Sequence, residues 1–163
     1  MCSYFSYNSK KYLFLHKLSE LSLLCCLSLL SASAWSLPQF INEFHYDNSG
    51  SDRHEYIEIA GVAGSDLSGW TLDFYNGSNG RVYMTWDIGG IITDQTNGYG
   101  VLSFSGSRGL QNGGRDGIAL INDLGDLVQF ISYEGVLSAT NGAAQGLLSE
   151  DVGVSENSAT PVG

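Results

Sequence analysis

The chain has 163 residues and a formal net charge of −10, from 17 acidic and 7 basic side chains. Binding to a nucleic-acid backbone depends on lysine and arginine displacing counterions, so this balance disfavours direct nucleic-acid binding. Anionic membrane surfaces are disfavoured on the same ground. Cations, basic proteins and neutral polymers remain open as partners.

The first 34 residues have the order of a cleavable signal peptide. Three lysines, a leucine-rich run and two small residues follow one another: Lys10, Lys11, Lys17, residues 18–30, Ala32 and Ala34. The run is interrupted by Glu20 and is shorter than the ~20 apolar residues that span a bilayer, which disfavours a retained membrane anchor. We therefore expect cleavage after Ala34 and export to the periplasm or the medium, with no membrane span afterwards.

Signal removal changes the bulk properties of the chain. All three cysteines (Cys2, Cys25 and Cys26) and every lysine lie in the signal, and the mature net charge becomes about −12. Lipidation at Cys25 or Cys26 is a lesser alternative, because Leu24 is large for the residue before a lipidated cysteine. The mature residues, 35–163, have no thiol for a disulfide or a metal site, so their fold must rest on a single hydrophobic core.

Period-two alternation of apolar residues predicts seven short strands in the mature chain, at 40–46, 55–60, 70–75, 81–87, 99–104, 117–122 and 127–133. Asn-Gly pairs within 76–80 and the Asp-Leu-Gly-Asp sequence at 123–126 predict two antiparallel hairpins. We expect an all-β fold, an antiparallel β-sandwich, with no helix beyond the signal. Residues 134–163 have few periodic apolar positions and are predicted to form an irregular tail.

Several blocks carry a resemblance to a known family: 41–43, 55–59, 66–72, 116–120 and 128–133. Their order and spacing resemble the lamin-tail domain found in secreted bacterial proteins. The resemblance implies an immunoglobulin-like β-sandwich, a binding or tethering role and no catalytic residues of the domain's own. Relatives usually continue past a segment like 158–163 with a further strand, so a truncated product is one expectation.

The function expected from the sequence is that of an exported, non-catalytic binding or tethering module. Its partner would be a protein or an envelope or extracellular polymer. One alternative is the accessory N-terminal part of a secreted nuclease or protease whose catalytic domain is absent from this chain. A second alternative is a calcium-dependent adhesion module.

Two groups of residues in the predicted strands carry structural or functional expectations. The expected core positions are Trp70, Leu72, Phe74, Ile118 and Leu120. Within each strand these residues are two apart and therefore share one face. Tyr75 and Tyr83 flank the first hairpin. They are expected to form either an exposed aromatic pair, of the kind found in proteins that bind carbohydrate or peptide, or an ordinary cross-strand pair that stabilises the sheet.

Hard oxygen ligands in the 47–52 loop suit calcium, which makes Asp47, Asp52 and Glu55 weak candidate ligands. The spacing does not fit an EF-hand, because Asp52 stands where that loop requires glycine, and solvated turn residues are the alternative. His45 and His54 lie near acids, but no nucleophile motif or zinc spacing accompanies them. The sequence therefore predicts no catalytic residue and no cofactor, and its glycine-rich stretches at 98–100 and 106–114 are predicted to be turns.

Overall fold

The computed structural model describes residues 39–48, 54–106, 108–157 and 159–161. The predicted signal peptide and its cleavage site lie outside these residues. No helix within the described ranges is long and apolar enough to cross a membrane.

The described residues form eight β-strands. They are β1 (Phe40–His45), β2 (Tyr56–Val62), β3 (Trp70–Asn76), β4 (Arg81–Ile88), β5 (Tyr99–Phe104), β6 (Gly117–Ile121), β7 (Leu127–Ser132) and β8 (Glu150–Asp151). The first seven match the predicted strands to within two residues at each end.

The strands make two sheets, a three-stranded sheet of order β1-β2-β5 and a five-stranded sheet of order β4-β3-β6-β7-β8. All neighbouring strands are antiparallel except β7 and β8, which are parallel. The all-β prediction is confirmed, and two sheets of this kind are consistent with a β-sandwich.

The main core is built from the alternating residues of both sheets. Ile57 and Ile59 of β2 are fully buried and belong to the same apolar cluster as all five predicted core residues: Trp70, Leu72, Phe74, Ile118 and Leu120. Intervening residues of β2 such as Glu58 are only partly buried. Period two therefore places one face of each strand in this core.

Both predicted hairpins are present. In the β3–β4 turn, the Gly80 N–H donates to the Asn76 carbonyl at 2.8 Å, and Gly80 has a φ of 70°. In the β6–β7 turn, Gly125 has a φ of 83°. Glycine adopts these left-handed conformations without the steric penalty that a Cβ brings, which explains its place in the two turns.

The C-terminal segment packs against the sheet. Residues 134–163 are predicted to be an irregular tail, and the described residues among them are irregular apart from β8 and one isolated bridge, but they cover the other face of the five-stranded sheet. A second buried cluster forms there, from Tyr75, Ala119, Ile121, Phe130, Leu137, Ala139 and Ala144. The centre of the five-stranded sheet is thus covered on both faces, which explains why every residue of β6 is buried.

Candidate functional site

A glycine-rich loop between β5 and β6, residues 108–116, is clamped by side chains from distant parts of the chain. The Glu55 carboxylate, just before β2, accepts a hydrogen bond from the Leu110 N–H. The Tyr83 hydroxyl accepts one from the Gln111 N–H at 3.0 Å. The Tyr133 hydroxyl donates to the Gln111 carbonyl at 2.7 Å. Both backbone groups of Gln111 are therefore fixed by phenol side chains.

Asp116 ties the same loop to the β3–β4 turn. Its side chain is buried, and its two oxygens accept hydrogen bonds from the Gly77 N–H at 2.6 Å and the Gly113 N–H at 3.0 Å. Burial raises the pKa of Asp116 above its ordinary value, and the nearby Glu134 adds to that effect, while the two amide hydrogen bonds oppose it. The carboxylate thus acts as an internal bridge between loop and turn.

The two phenols of the clamp stay protonated at neutral pH. Burial raises the pKa of Tyr83 to about 12 and moves the pKa of Tyr133 still further above its ordinary value. A protonated Tyr133 can serve as the donor that its contact with Gln111 requires. Because these hydrogen bonds reach the loop through buried side chains, the loop backbone is held in one arrangement.

The clamped loop and the β3–β4 turn enclose an open cleft of about 670 Å3. The side chains in its lining are amides, a hydroxyl, one guanidinium, one carboxylate and one leucine: Asn76, Gln111, Asn112, Ser78, Arg115, Asp116 and Leu110. Ser78, Asn112 and Arg115 are exposed to solvent. Such groups can donate hydrogen bonds to hydroxyl and carboxylate oxygens of a ligand.

The described arginines lie in, or next to, the chain segments that form the cleft. Arg81 pairs with Asn76 across the hairpin, Arg108 begins the clamped loop and Arg115 lines the cleft. The fourth mature arginine, Arg53, is outside the described residues. Arg115 therefore places a positive charge in the cleft itself, which favours a carboxylate group of a ligand at that point.

The predicted aromatic pair does not form. Tyr75 is fully buried beneath the C-terminal segment, where its hydroxyl accepts a hydrogen bond from the Ala144 N–H at 3.2 Å. Tyr83 packs against the main core on the opposite face of the sheet. A bulge shifts the register after Phe74, so that Val82 is the partner of Tyr75. Both expectations for Tyr75 and Tyr83 are wrong, and Tyr83 instead belongs to the loop clamp.

Two of the three candidate calcium ligands, Asp47 and Glu55, are among the described residues. Asp52 lies outside the described residues. The Asp47 N–H donates to Glu156 at 3.0 Å, and the Glu55 carboxylate is turned toward the clamped loop. Within the described ranges, no three His, Cys, Asp or Glu side chains are grouped closely enough to hold a metal ion.

The two histidines have different surroundings. His45 is buried, with Nδ1 lying 2.8 Å from a Glu156 oxygen and Nε2 lying 3.1 Å from the Asn48 side-chain nitrogen. His54 is exposed and has a φ of 60°. Both ring nitrogens of His45 are thus engaged in holding neighbouring segments.

Comparison with protein-family models, curated proteins and solved structures gave no match for this chain. The functional argument therefore rests on the geometry of the cleft. The sequence did show the glycine-rich stretch, but nothing local to it indicated that Glu55, Tyr83 and Tyr133 would converge there.

Proposed function

We propose that this chain is exported by its N-terminal signal and that residues 35–163 form a non-catalytic binding or tethering module of lamin-tail type, with an immunoglobulin-like sandwich. Its ligand is an envelope or extracellular polymer with hydroxyl and carboxylate groups, such as an acidic polysaccharide. The observation that carries this proposal is the clamp on residues 108–116.

The clamp favours binding because it fixes the loop before a ligand arrives. Buried carboxylates and phenols are costly to desolvate unless they are hydrogen-bonded. Here Asp116 and Tyr133 make their hydrogen bonds to the loop and the neighbouring turn, while Arg115 is exposed to solvent. A loop held in advance loses less conformational entropy on binding, which raises affinity.

The contacts of Glu55, Asp116 and His45 also support a non-catalytic function. Glu55 and Asp116 hold backbone N–H groups, and His45 is engaged at both ring nitrogens. These side chains are accounted for by structural contacts. Apart from Asp116, whose oxygens already accept two backbone N–H groups, the polar side chains that line the cleft are amides, a hydroxyl and a guanidinium, which suit recognition of hydroxyl and carboxylate groups.

Calorimetric titration of the purified exported chain with soluble oligosaccharides tests the ligand class. The probes are a uronate-containing oligosaccharide and a neutral one of equal length. We expect the uronate probe to bind more tightly, and Arg115→Asn to weaken it about tenfold, or ~1.4 kcal/mol. Asparagine is chosen because Arg115 has a φ of 70°, which asparagine tolerates better than alanine.

Asp123→Asn is the matched control, since Asp123 lies in the β6–β7 turn at the other end of β6. It should leave both affinities unchanged. Absence of binding at millimolar probe, or equal affinity of Arg115→Asn and the parent chain, would refute the proposed ligand site.

Export is tested separately with the full chain. We expect the product in the periplasm or the medium to begin at Trp35, as measured by intact mass. Ala34→Tyr should block cleavage, because the peptidase accepts only small residues there. A full-length product retained in the membrane fraction by the parent chain would contradict export by cleavage.

A further inference from the structure

The outer face of the three-stranded sheet has two adjacent rows of different chemistry. Residues paired across β1, β2 and β5 form these rows: Phe40, Ala60 and Val101 in one, and Glu43, Glu58 and Ser103 in the next. Ala60 and Glu58 are two residues apart on β2, so the rows are separated by about 6.8 Å. An apolar row thus lies directly beside a row that carries two carboxylates.

The apolar row opens into a shallow cleft of about 350 Å3. Phe40 and Tyr99, from the two outer strands, contribute to its lining and are 37% and 44% exposed. Ala60 lies on the middle strand between them, and its small side chain leaves space for the cleft. Large apolar side chains left in solvent around such a cleft are typical of a binding surface.

The carboxylate row is unfavourable by itself. Glu43 and Glu58 stand directly opposite each other, and like charges in that position destabilise a sheet. The Tyr56 hydroxyl and the Asn42 side chain each donate a hydrogen bond to one of them, at 2.5 and 2.7 Å. Among the described residues, neither carboxylate forms an ion pair with a basic side chain. A cation from outside the chain would relieve this repulsion.

The edges of the same sheet are capped by side chains. The Gln95 amide accepts from the Val101 N–H at 3.2 Å and donates to the Val101 carbonyl at 3.3 Å, in the manner of a neighbouring strand. On the other edge, the side-chain amide oxygen of Gln129 accepts a hydrogen bond from the Ile41 N–H at 2.8 Å. A partner is therefore obstructed from adding a strand at these positions, and the face above them is the accessible surface.

We propose that this face binds an extended, basic segment of a partner polypeptide in which an apolar side chain and a lysine or arginine stand two residues apart. In an extended chain these two side chains point to the same side and are about 6.8 Å apart, which matches the rows. The apolar side chain enters the cleft between Phe40 and Tyr99, and the cation lies over Glu43 and Glu58. The acidic net charge, −10 for the whole chain and more negative once the lysine-bearing signal is removed, attracts such a segment at long range.

This surface is separate from the loop cleft, so its test does not depend on the saccharide ligand. The probe is a fluorescent synthetic peptide of threonines with leucine and lysine two residues apart. Two comparison peptides carry leucine and lysine on adjacent residues, or glutamate in place of lysine. Fluorescence anisotropy is measured at low and high salt with the exported chain.

We expect the first peptide to bind most tightly, with an affinity that falls as salt rises. The double substitution Glu43→Gln and Glu58→Gln should weaken binding at least tenfold and remove most of the salt dependence, while keeping acceptors for Tyr56 and Asn42. Tyr99→Ser should weaken binding through the apolar cleft. Glu150→Gln, an exposed acid on β8, is the matched control and should change nothing.

Several outcomes would overturn the proposal. They are no binding at millimolar peptide, equal binding of the glutamate peptide, and unchanged affinity in both the double variant and Tyr99→Ser. Self-association of the chain through this face without peptide binding would assign the surface to a second copy instead. Circular dichroism shows whether each variant is folded. If the double variant does not fold, the peptide affinity of the single variant Glu58→Gln is compared with that of the parent chain instead.

Discussion

Tyr46 and Glu156 exchange two hydrogen bonds although they lie 110 residues apart. The Tyr46 N–H donates to the Glu156 carboxylate at 2.6 Å, and the Glu156 N–H donates to the Tyr46 hydroxyl at 2.6 Å. The same hydroxyl donates to Glu134 at 2.9 Å, and the Tyr46 ring stacks on Tyr133 with centroids 4.0 Å apart. Through this buried tyrosine the C-terminal segment is fastened to the residues that follow β1.

Tyr46→Phe should destabilise the protein by about 1–3 kcal/mol. The substitution keeps the ring stacked on Tyr133 but leaves the Glu156 N–H and a Glu134 oxygen without their phenol partner, and unmade buried hydrogen bonds cost that much. Urea unfolding measures the change. Tyr99→Phe removes a hydroxyl from an exposed side chain and should stay within about 0.5 kcal/mol of the parent. Equal stability of the two variants would contradict the role given to Tyr46.

Buried tyrosines should also make the fold sensitive to alkali. Burial raises the pKa of Tyr46 and Tyr83 to about 12, and that of Tyr133 is raised as well, from an ordinary value of 10.0. The folded state therefore keeps protons that the unfolded chain loses. The stability from these groups is complete below pH 10 and is lost as pH rises through about 12.

Alkaline titration followed by tyrosinate absorbance and by circular dichroism tests this expectation. The late part of the tyrosinate signal should appear together with loss of β structure, because the buried hydroxyls ionise when the protein unfolds. Tyrosinate formation that is complete near pH 10 with the β signal intact would contradict it. Tyr46→Phe should reduce the steepness of the stability loss.

The sequence predicted the strands well because their signal is local. Trp70, Leu72 and Phe74 alternate with polar residues over one short stretch, and burying that face in a core is enough to set the strand. The hairpin turns were equally local, since Gly80 and Gly125 supply the positive φ that each turn needs. Such features need no knowledge of what the strand meets across the fold.

The rest depends on partners that are far away in the chain. Ala139 and Ala144 are buried beside Tyr75, but alanines spaced among glycines and serines have no periodic apolar pattern. The bulge after Phe74 leaves Tyr83 as the extra residue on β4 and places it on the main-core face, opposite Tyr75, which period two counted through the hairpin could not show. Contacts of this kind, including the loop clamp, depend on the tertiary packing of the two sheets and therefore leave no local pattern in the sequence.

Gln95→Ala should promote self-association. The Gln95 amide occupies the N–H and carbonyl of Val101 on the outer edge of β5, and alanine would leave both groups open to another strand. Sedimentation velocity over a range of concentrations should show dimers or larger species for this variant. Gln145→Ala, at an exposed position in the C-terminal segment, is the control and should sediment as the parent does. Concentration-independent sedimentation of Gln95→Ala would count against the edge-capping role.

Two glycine substitutions separate backbone conformation from close packing. Gly80 and Gly98 both have positive φ, 70° and 84°. A Cβ at Gly98 would meet nothing within 4 Å, whereas one at Gly80 would lie 2.1 Å from the Ser138 carbonyl oxygen. The C-terminal segment is held against that turn by the Thr140 N–H, which donates to the Gly80 carbonyl at 2.7 Å.

Gly98→Ala should therefore cost only the strain of a left-handed alanine, about 1–2 kcal/mol. Gly80→Ala carries the same strain and must also push the C-terminal segment away from the hairpin, which adds about 1–3 kcal/mol. Urea unfolding of both variants gives the difference directly. Proteolysis provides a second measurement, since only Gly80→Ala should expose the segment around Ser138 to cleavage. Equal destabilisation by the two substitutions would mean that the segment does not pack against the turn in solution.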